Sequence, residues 1–257
     1  MEMHSKCIKG HTMLSFVYHT MGTVFTSQIV LDETAEKPAL LTKIEHFQNL
    51  LEVYLEQINT RFSPYLADSE VSRYNRGEIT ALTMSPDLYF VFASSLAAKL
   101  ATHDAFDANY NGEFEPSGFV KGWSIEVGFS KFLVPLFQFP SVQAVNLIGG
   151  GDMQMETREQ SDWVFDIGIV DPTDRYSIIK TVQLKTGAIA TSGISERGHH
   201  IKGAVDDILQ TTVIGQALQE VDVWATALMV NPDLALPDNL SGFIFTRQEG
   251  ETHAKIS

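Results

Sequence analysis

The sequence predicts an α+β fold, a single domain in which a mixed or antiparallel sheet carries flanking helices. Three observations point there. The apolar runs of the second half follow one another without regular intervening helices, so the βαβ pattern of a parallel sheet is missing. The first half contains segments whose apolar residues recur every three or four positions, the period of amphipathic helices. No repeat, low-complexity tract or Pro/Gly/Ser-rich linker divides the 257 residues, a length within reach of one large domain.

Residues 1–15 are read as a loose N-terminal segment. From Phe16 to Leu31, β-branched and aromatic residues are broken by Met21-Gly22-Thr23, which suggests a hairpin or a bulged pair of strands. Leu41, Ile44, Phe47, Leu51, Tyr54 or Leu55, and Ile58 then mark a helix from Lys37 to Ile58, with Pro38 in its first turn. Arg61-Phe62-Ser63-Pro64-Tyr65 reads as an irregular loop. Ser85-Pro86-Asp87 supplies an N-cap followed by proline at the first helical position, opening a helix that runs to about Thr102. Between His103 and Gly118 the chain is turn-rich, and a third helix is expected from Lys121 to Leu133. Strands are expected over Val142 to Ile148, Trp163 to Val170, Ile178 to Leu184, Ala188 to Thr191 and Thr211 to Ile214. In the second of these, Trp163, Phe165, Ile167 and Ile169 share a face. A last helix, Gln216 to Val230, precedes a short strand from Gly242 to Thr246.

Composition narrows the function. Hydrophobic residues make up 44% and charged residues 19% of the chain, and 16 Phe with 3 Trp can fill a core. Eighteen Lys and Arg against 32 Asp and Glu give a net charge of −14 with histidine neutral. Such a field repels phosphate backbones and anionic lipid, so nucleic acid and anionic membrane surfaces are not expected partners. An anionic ligand would need local help from a metal, a helix N-terminus or a placed lysine. The single cysteine, Cys7, offers neither an internal disulfide nor a zinc framework. The first twenty residues lack an apolar signal core, and no later run reaches the length of a membrane span. The expectation is a cytoplasmic chain without membrane insertion.

Four places could carry chemistry. Asp222 and Thr226 lie four residues apart on the last helix and so share one face. A carboxylate and a hydroxyl can there converge on one hard cation, magnesium or equally manganese. An Asp with a Thr one turn later is also common on solvated faces, but Val221, Ala225, Leu228 and Met229 make this helix largely buried, and a buried Asp needs a partner or a metal. In Glu115-Pro116-Ser117-Gly118-Phe119-Val120-Lys121-Gly122-Trp123, a glycine can aim a carbonyl at an ion and Lys121 can face a phosphate, although a plain turn with a solvated lysine is the commoner case. Ile148-Gly149-Gly150-Gly151-Asp152 lacks both the dinucleotide glycine spacing and a following Lys-Ser/Thr pair, so it reads as a tight turn or a close approach. His199-His200 sits in a polar loop. Adjacent histidines in an extended segment point to opposite faces, so at most one would act as a base.

In order along the chain these pieces are more specific than any one of them. His19 to Thr23; Arg61 to Tyr65; Asp68-Ser69-Glu70-Val71-Ser72-Arg73-Tyr74-Asn75; Phe106-Asp107; Pro116 to Trp123; Asn146 to Asp152; Ile169 to Pro172; Ala190 to Gly193; His200-Ile201; and Asp222 to Ala227 together resemble the FAD:protein FMN transferases, the ApbE-like flavin transferase family, with a T-fold-like domain. The resemblance implies a magnesium-dependent enzyme that moves the FMN unit of FAD to a Ser or Thr hydroxyl of an acceptor protein and releases AMP. Carried over residue by residue, it implies Asp222, Thr226 and the carbonyl of Gly118 as metal ligands. Met21, Tyr65, Ala105, Phe106, Asp107, Glu115, Lys121 and Ile201 would line the FAD site, and His200 would be the catalytic base. The chain departs from the family where Lys202-Gly203-Ala204 follows His200-Ile201, and where Glu115 stands in place of a common Asp. Two rival readings use the same residues: an FAD pyrophosphatase yielding FMN and AMP, and a non-catalytic flavin carrier.

Overall fold

The computed structural model describes residues 1–32, 37–193, 204–205, 207–248 and 251–256. The chain opens with three strands, β1 (Glu2–Ile8), β2 (His11–Thr20) and β3 (Thr23–Leu31), paired antiparallel in succession. Residues 1–15, expected to be loose, therefore form β1 and the first part of β2. β1 lies at the sheet edge with its side chains exposed up to Ile8. Its backbone ladder to β2 holds it, so no buried apolar face marks it in the sequence. The Met21-Gly22 turn joins β2 to β3 with φ of 52° and 69°. Two successive left-handed residues are what a two-residue hairpin of type I′ requires.

Helix α1 (Lys37–Phe62) buries Ile44, Leu51, Leu55, Ile58 and Phe62. The apolar period runs one turn past Ile58, so Arg61 and Phe62 are helical where a loop was expected. A short helix, α2 (Glu70–Asn75), follows, its first turn capped by the Ser69 hydroxyl, which accepts the Ser72 N–H at 3.0 Å. Helix α3 (Pro86–Ala101) starts as its Ser-Pro signal predicts, with the Ser85 hydroxyl accepting the Leu88 N–H at 3.1 Å. Helix α4 (Ser117–Gly128) begins before Lys121 and then widens into a π-turn over Phe129–Leu133 and tightens into a 3₁₀ turn over Val134–Gln138.

The second half adds β4 (Val142–Gly149), β5 (Asp152–Thr157), β6 (Phe165–Val170), β7 (Ile178–Leu184), β8 (Gly187–Gly193), β9 (Ile208–Gly215), α5 (Leu218–Val230), β10 (Ser241–Gln248) and β11 (Glu251–Ile256). Among the described residues, nine strands form one sheet in the order β1-β2-β3-β4-β5-β8-β9-β10-β11, with every neighbouring pair antiparallel. The fold is thus α+β, with the sheet antiparallel rather than mixed. β5 and β11 went unanticipated; β5 reads Asp-Met-Gln-Met-Glu-Thr, with a β-branched residue only at its last position.

The sheet has two covered faces. Against one pack α1, α4 and α5, enclosing Phe16, Phe25, Ile29, Leu147, Ile125, Leu228 and their neighbours in the main core. Over the other lies the separate β6–β7 hairpin, which brings Trp163, Phe165 and Ile167 against Val30, Ala144, Met155 and Ile189. The one-sided face expected of Trp163, Phe165, Ile167 and Ile169 is the buried one. Among the described residues, no helix is long and apolar enough to cross a membrane.

Arg61, at the end of α1, ties three helices together: its guanidinium donates to Glu70 of α2 at 2.7 Å, to Asp87 of α3 at 2.5 Å and to the capping Ser85 at 2.8 Å. Ser85→Ala removes both the cap and the Arg61 acceptor and should cost about 1 kcal/mol of stability. Urea unfolding of the variant checks this; an unchanged midpoint would show that the cap is replaceable by water.

Candidate functional site

A cleft of about 460 Å³ opens at the end of the sheet where the β2–β3 turn, the β4–β5 turn and the end of β8 meet α4 and α5. Met21, Tyr65, Ala105, Phe106, Asp107, Glu115, Gly118, Lys121, Asp222 and Thr226, all singled out in the sequence, line it together. His200 and Ile201 lie outside the described residues. The sequence positions that converge are up to two hundred residues apart, and the sheet order brings them to one end.

Helix α5 is aimed by its first turn. Ala217 offers no side-chain cap, and a buried glutamine and a half-buried glutamate from other elements satisfy the first N–H groups instead. Gln154 of β5 accepts the Leu218 N–H at 3.0 Å and donates to the Gln216 carbonyl at 3.0 Å. Glu126 of α4 accepts the Gln219 N–H at 3.0 Å. Burial pushes the Glu126 carboxyl up, and the N–H groups of Gln219 and Leu218 oppose that rise. One turn further on, Asp222 points at α4.

Asp222 is 2% exposed, so its carboxylate must be paired. Oδ2 accepts the Gly122 N–H at 3.1 Å, and the Lys121 ammonium stands 3.4 Å from Oδ1. Burial pushes the Asp222 carboxyl up, Lys121 pulls it down, and neighbouring Asp152 adds to the rise. Thr226, the next residue on that face, shares a hydrogen bond of 3.2 Å with Ser192 of β8.

The cleft walls rest on polar ties that give the motif residues structural work. Asn75 both donates to the Phe114 carbonyl and accepts the Phe114 N–H, at 2.9 and 3.0 Å, anchoring the loop that enters α4. Asp107 accepts from Lys99 at 2.7 Å and from the Asn109 N–H at 2.8 Å. Partial burial raises its carboxyl, but these donors outweigh it and hold Asp107 below the ordinary carboxylate range. The Tyr110 hydroxyl donates to Glu115 at 2.8 Å, which pushes the phenol up to about 12. Tyr65 stands at the mouth, 93% exposed, free to lay its ring on a planar ligand.

The donor chemistry suits a hard divalent cation. Among the described residues, no three His, Cys, Asp or Glu side chains form a metal cage. A cation would therefore draw on a mixed oxygen set, the Asp222 carboxylate, the Thr226 hydroxyl and the Gly118 carbonyl, with water and ligand oxygens completing it, as magnesium commonly does. Sequence reasoning did not single out Asp152, Tyr110 or Ser192 for this site. For Asp152 the signal is its place directly after the glycine turn, where φ is 57° at Gly150 and 92° at Gly151.

The ApbE family model matches residues 21–119 and 116–238 of the chain. No curated protein sequence matches it. Its fold is similar to the flavin transferase ApbE from Vibrio cholerae, with a TM-score of 0.70 and 17% identity, covering 96% of this chain and 97% of that one. It is similar to the ApbE protein from Thermotoga maritima, at 0.72 and 18% over 95% and 96%. The apo form of the flavinyl transferase ApbE from Pseudomonas stutzeri gives 0.68 and 16% over 100% and 96%.

Gly122 sets the distance between α4 and α5. A Cβ there would stand 3.0 Å from the Leu218 carbonyl oxygen and 3.0 Å from both Cβ and Oδ2 of Asp222. Because the first of these is backbone, the helices must part. Gly122→Ala should lose about 1–3 kcal/mol of unfolding free energy, measured by urea titration; an undiminished value would mean the helices separate at no cost.

Proposed function

The chain belongs to the ApbE family, and from that premise we propose that it transfers the FMN portion of FAD to a Ser or Thr hydroxyl of an acceptor protein, with AMP as the leaving group and magnesium as the required metal. The observation that carries this reading is the convergence, in one cleft, of the oxygen donors Asp222 and Thr226 with the Lys121 ammonium. A pyrophosphate needs that pairing of metal and fixed cation in a chain whose net charge is −14. The names of the family's solved relatives, flavin transferases from Vibrio cholerae and Pseudomonas stutzeri, support the flavin substrate.

Each residue has a task in the proposed reaction. Tyr65 stacks on an aromatic ring of FAD, while Met21, Ala105 and Phe106 give the cleft its apolar lining. Glu115, steadied by Tyr110, accepts hydrogen bonds from the nucleotide, and Asp107 stiffens the loop beside it. Asp222, Thr226 and the Gly118 carbonyl would hold the metal, which when bound would supply charge neutralisation on the pyrophosphate. Lys121 faces a phosphate oxygen and offsets the charge that grows as the phosphorus–oxygen bond to AMP breaks. The acceptor oxygen forms the new bond to the FMN phosphorus, and its proton passes to the His200 imidazole. That base assignment comes from the family resemblance.

The decisive experiment incubates the protein with FAD, with and without magnesium and with and without an acceptor domain, and reads AMP together with acceptor mass. Magnesium-dependent AMP with an FMN-sized mass gain is expected. AMP with free FMN and no adduct would replace transfer by pyrophosphate hydrolysis, and bound FAD without AMP would replace it by flavin carriage. Asp222→Ala should lower magnesium-dependent turnover by about a hundredfold or more while FAD still binds; retained turnover would remove Asp222 from the metal site. His200→Ala should slow transfer by about 10²- to 10⁴-fold with FAD binding intact, and a normal rate would exclude it as the base.

A further inference from the structure

Asp152 has no part in the reaction just described, yet it is the most completely buried ionisable group beside the cleft. It opens β5 directly after the Gly150-Gly151 turn and has no exposed surface. Its two oxygens are used differently. Oδ1 accepts the Thr191 N–H at 2.9 Å, which locks the carboxylate to the end of β8. Oδ2 is ion-paired with the Lys121 ammonium.

Lys121 therefore sits between two carboxylates of unequal kind. Its contact with Asp152 is the closer, and that with Asp222 is longer, at 3.4 Å. Asp152 is fixed by strand backbone, through the Thr191 N–H. Asp222 stands on α5 with Thr226 and is the group a cation would approach. A lysine side chain is long enough to swing its ammonium while one partner keeps hold of it.

We infer that Asp152 is a positioning residue that tethers the Lys121 ammonium beside Asp222, so that Lys121 balances the buried Asp222 charge in the ligand-free cleft and cedes it to the metal while Asp152 keeps the ammonium in place for the pyrophosphate. This rests on the metal-dependent reading above. A fixed cation next to a metal ligand repels a divalent ion, so Lys121 opposes metal binding in the empty cleft and favours it once a polyanion is present. Asp152 moderates the opposition by drawing the ammonium toward itself.

The test uses the full chain. Magnesium chloride is titrated by calorimetry into FAD-free protein, and FAD is titrated separately with chelator present, followed by flavin fluorescence. Lys121→Met should tighten magnesium binding by about tenfold or more, as loss of a charge at ion-pair distance requires, and should weaken metal-free FAD binding by a similar factor. Asp152→Asn, which keeps a side-chain oxygen for the Thr191 N–H, should weaken magnesium binding, because the released ammonium settles on Asp222. With Lys121→Met already present, Asp152→Asn should cost a smaller factor in magnesium affinity than it costs the wild type, since only the bare Asp152 charge and not its hold on the lysine is then lost. Weaker or unchanged magnesium binding in Lys121→Met would overturn the inference. So would a loss caused by Asp152→Asn that is just as large in the double variant, the result a structural role or direct metal contact would give. If Asp152→Asn does not fold, the sign of the Lys121→Met shift decides. Absence of magnesium binding to the wild-type chain, with or without FAD, would instead sink the metal-dependent reading and the inference with it.

Discussion

One carboxylate taken out of water governs the architecture of the cleft. Asp222 is buried where α5 crosses α4, and a charge in that position is tolerable only if its neighbours answer it. The answers come from separate parts of the chain: the Gly122 N–H from α4, the Lys121 ammonium one residue before it, and Asp152, which steers that ammonium from β5. Each answer imposes a further condition. The N–H can reach only because residue 122 has no side chain, since a Cβ there would meet Asp222 and the Leu218 carbonyl. The ammonium is held in turn by Asp152, whose other oxygen accepts the Thr191 N–H.

The sheet supplies the rigidity this arrangement needs. Sites built on regular elements hold their geometry better than sites built on loops, and here β5, α4 and α5 carry the charged groups while β8 holds Asp152 through the Thr191 N–H. Gln154 and Glu126 then fix the direction of α5 by capping its first turn from β5 and α4. Loops contribute the walls instead, and those are tied down one by one. Asn75 brackets Phe114, Lys99 and the Asn109 N–H hold Asp107, and Tyr110 holds Glu115. Several residues that look like binding motifs in the sequence therefore owe their place to loop anchoring. Ser69, Glu70 and Asn75 belong here, and Arg61 does the same work for three helices.

The acidic balance of the chain is consistent with an anionic ligand once charge is considered locally. A net charge of −14 acts over the whole surface and is screened by salt. Inside the cleft the relevant groups are a few ångströms apart and shielded from solvent, so one lysine or one metal ion outweighs distant carboxylates.

The sequence by itself determined the elements with strong local signals and the family to which the chain belongs. The Ser85-Pro86 start of α3, the period of α1 and the one-sided burial of Trp163, Phe165 and Ile167 are all local, because hydrogen bonding and side-chain spacing within a few residues decide them. Ten residues named from the ordered motifs line the cleft, while His200 and Ile201 lie outside the described residues. What local pattern could not report were elements held by backbone pairing to a neighbour: exposed β1, whose place depends on β2, and polar β5, whose place depends on β4 and β8. For the same reason it could not report the role of Asp152. Its partners, Lys121 and the Thr191 N–H, lie some thirty to forty positions away. Only the antiparallel order of the sheet, which sets β8 beside β5 and both beneath α4 and α5, decided that this carboxylate would face an ammonium instead of water.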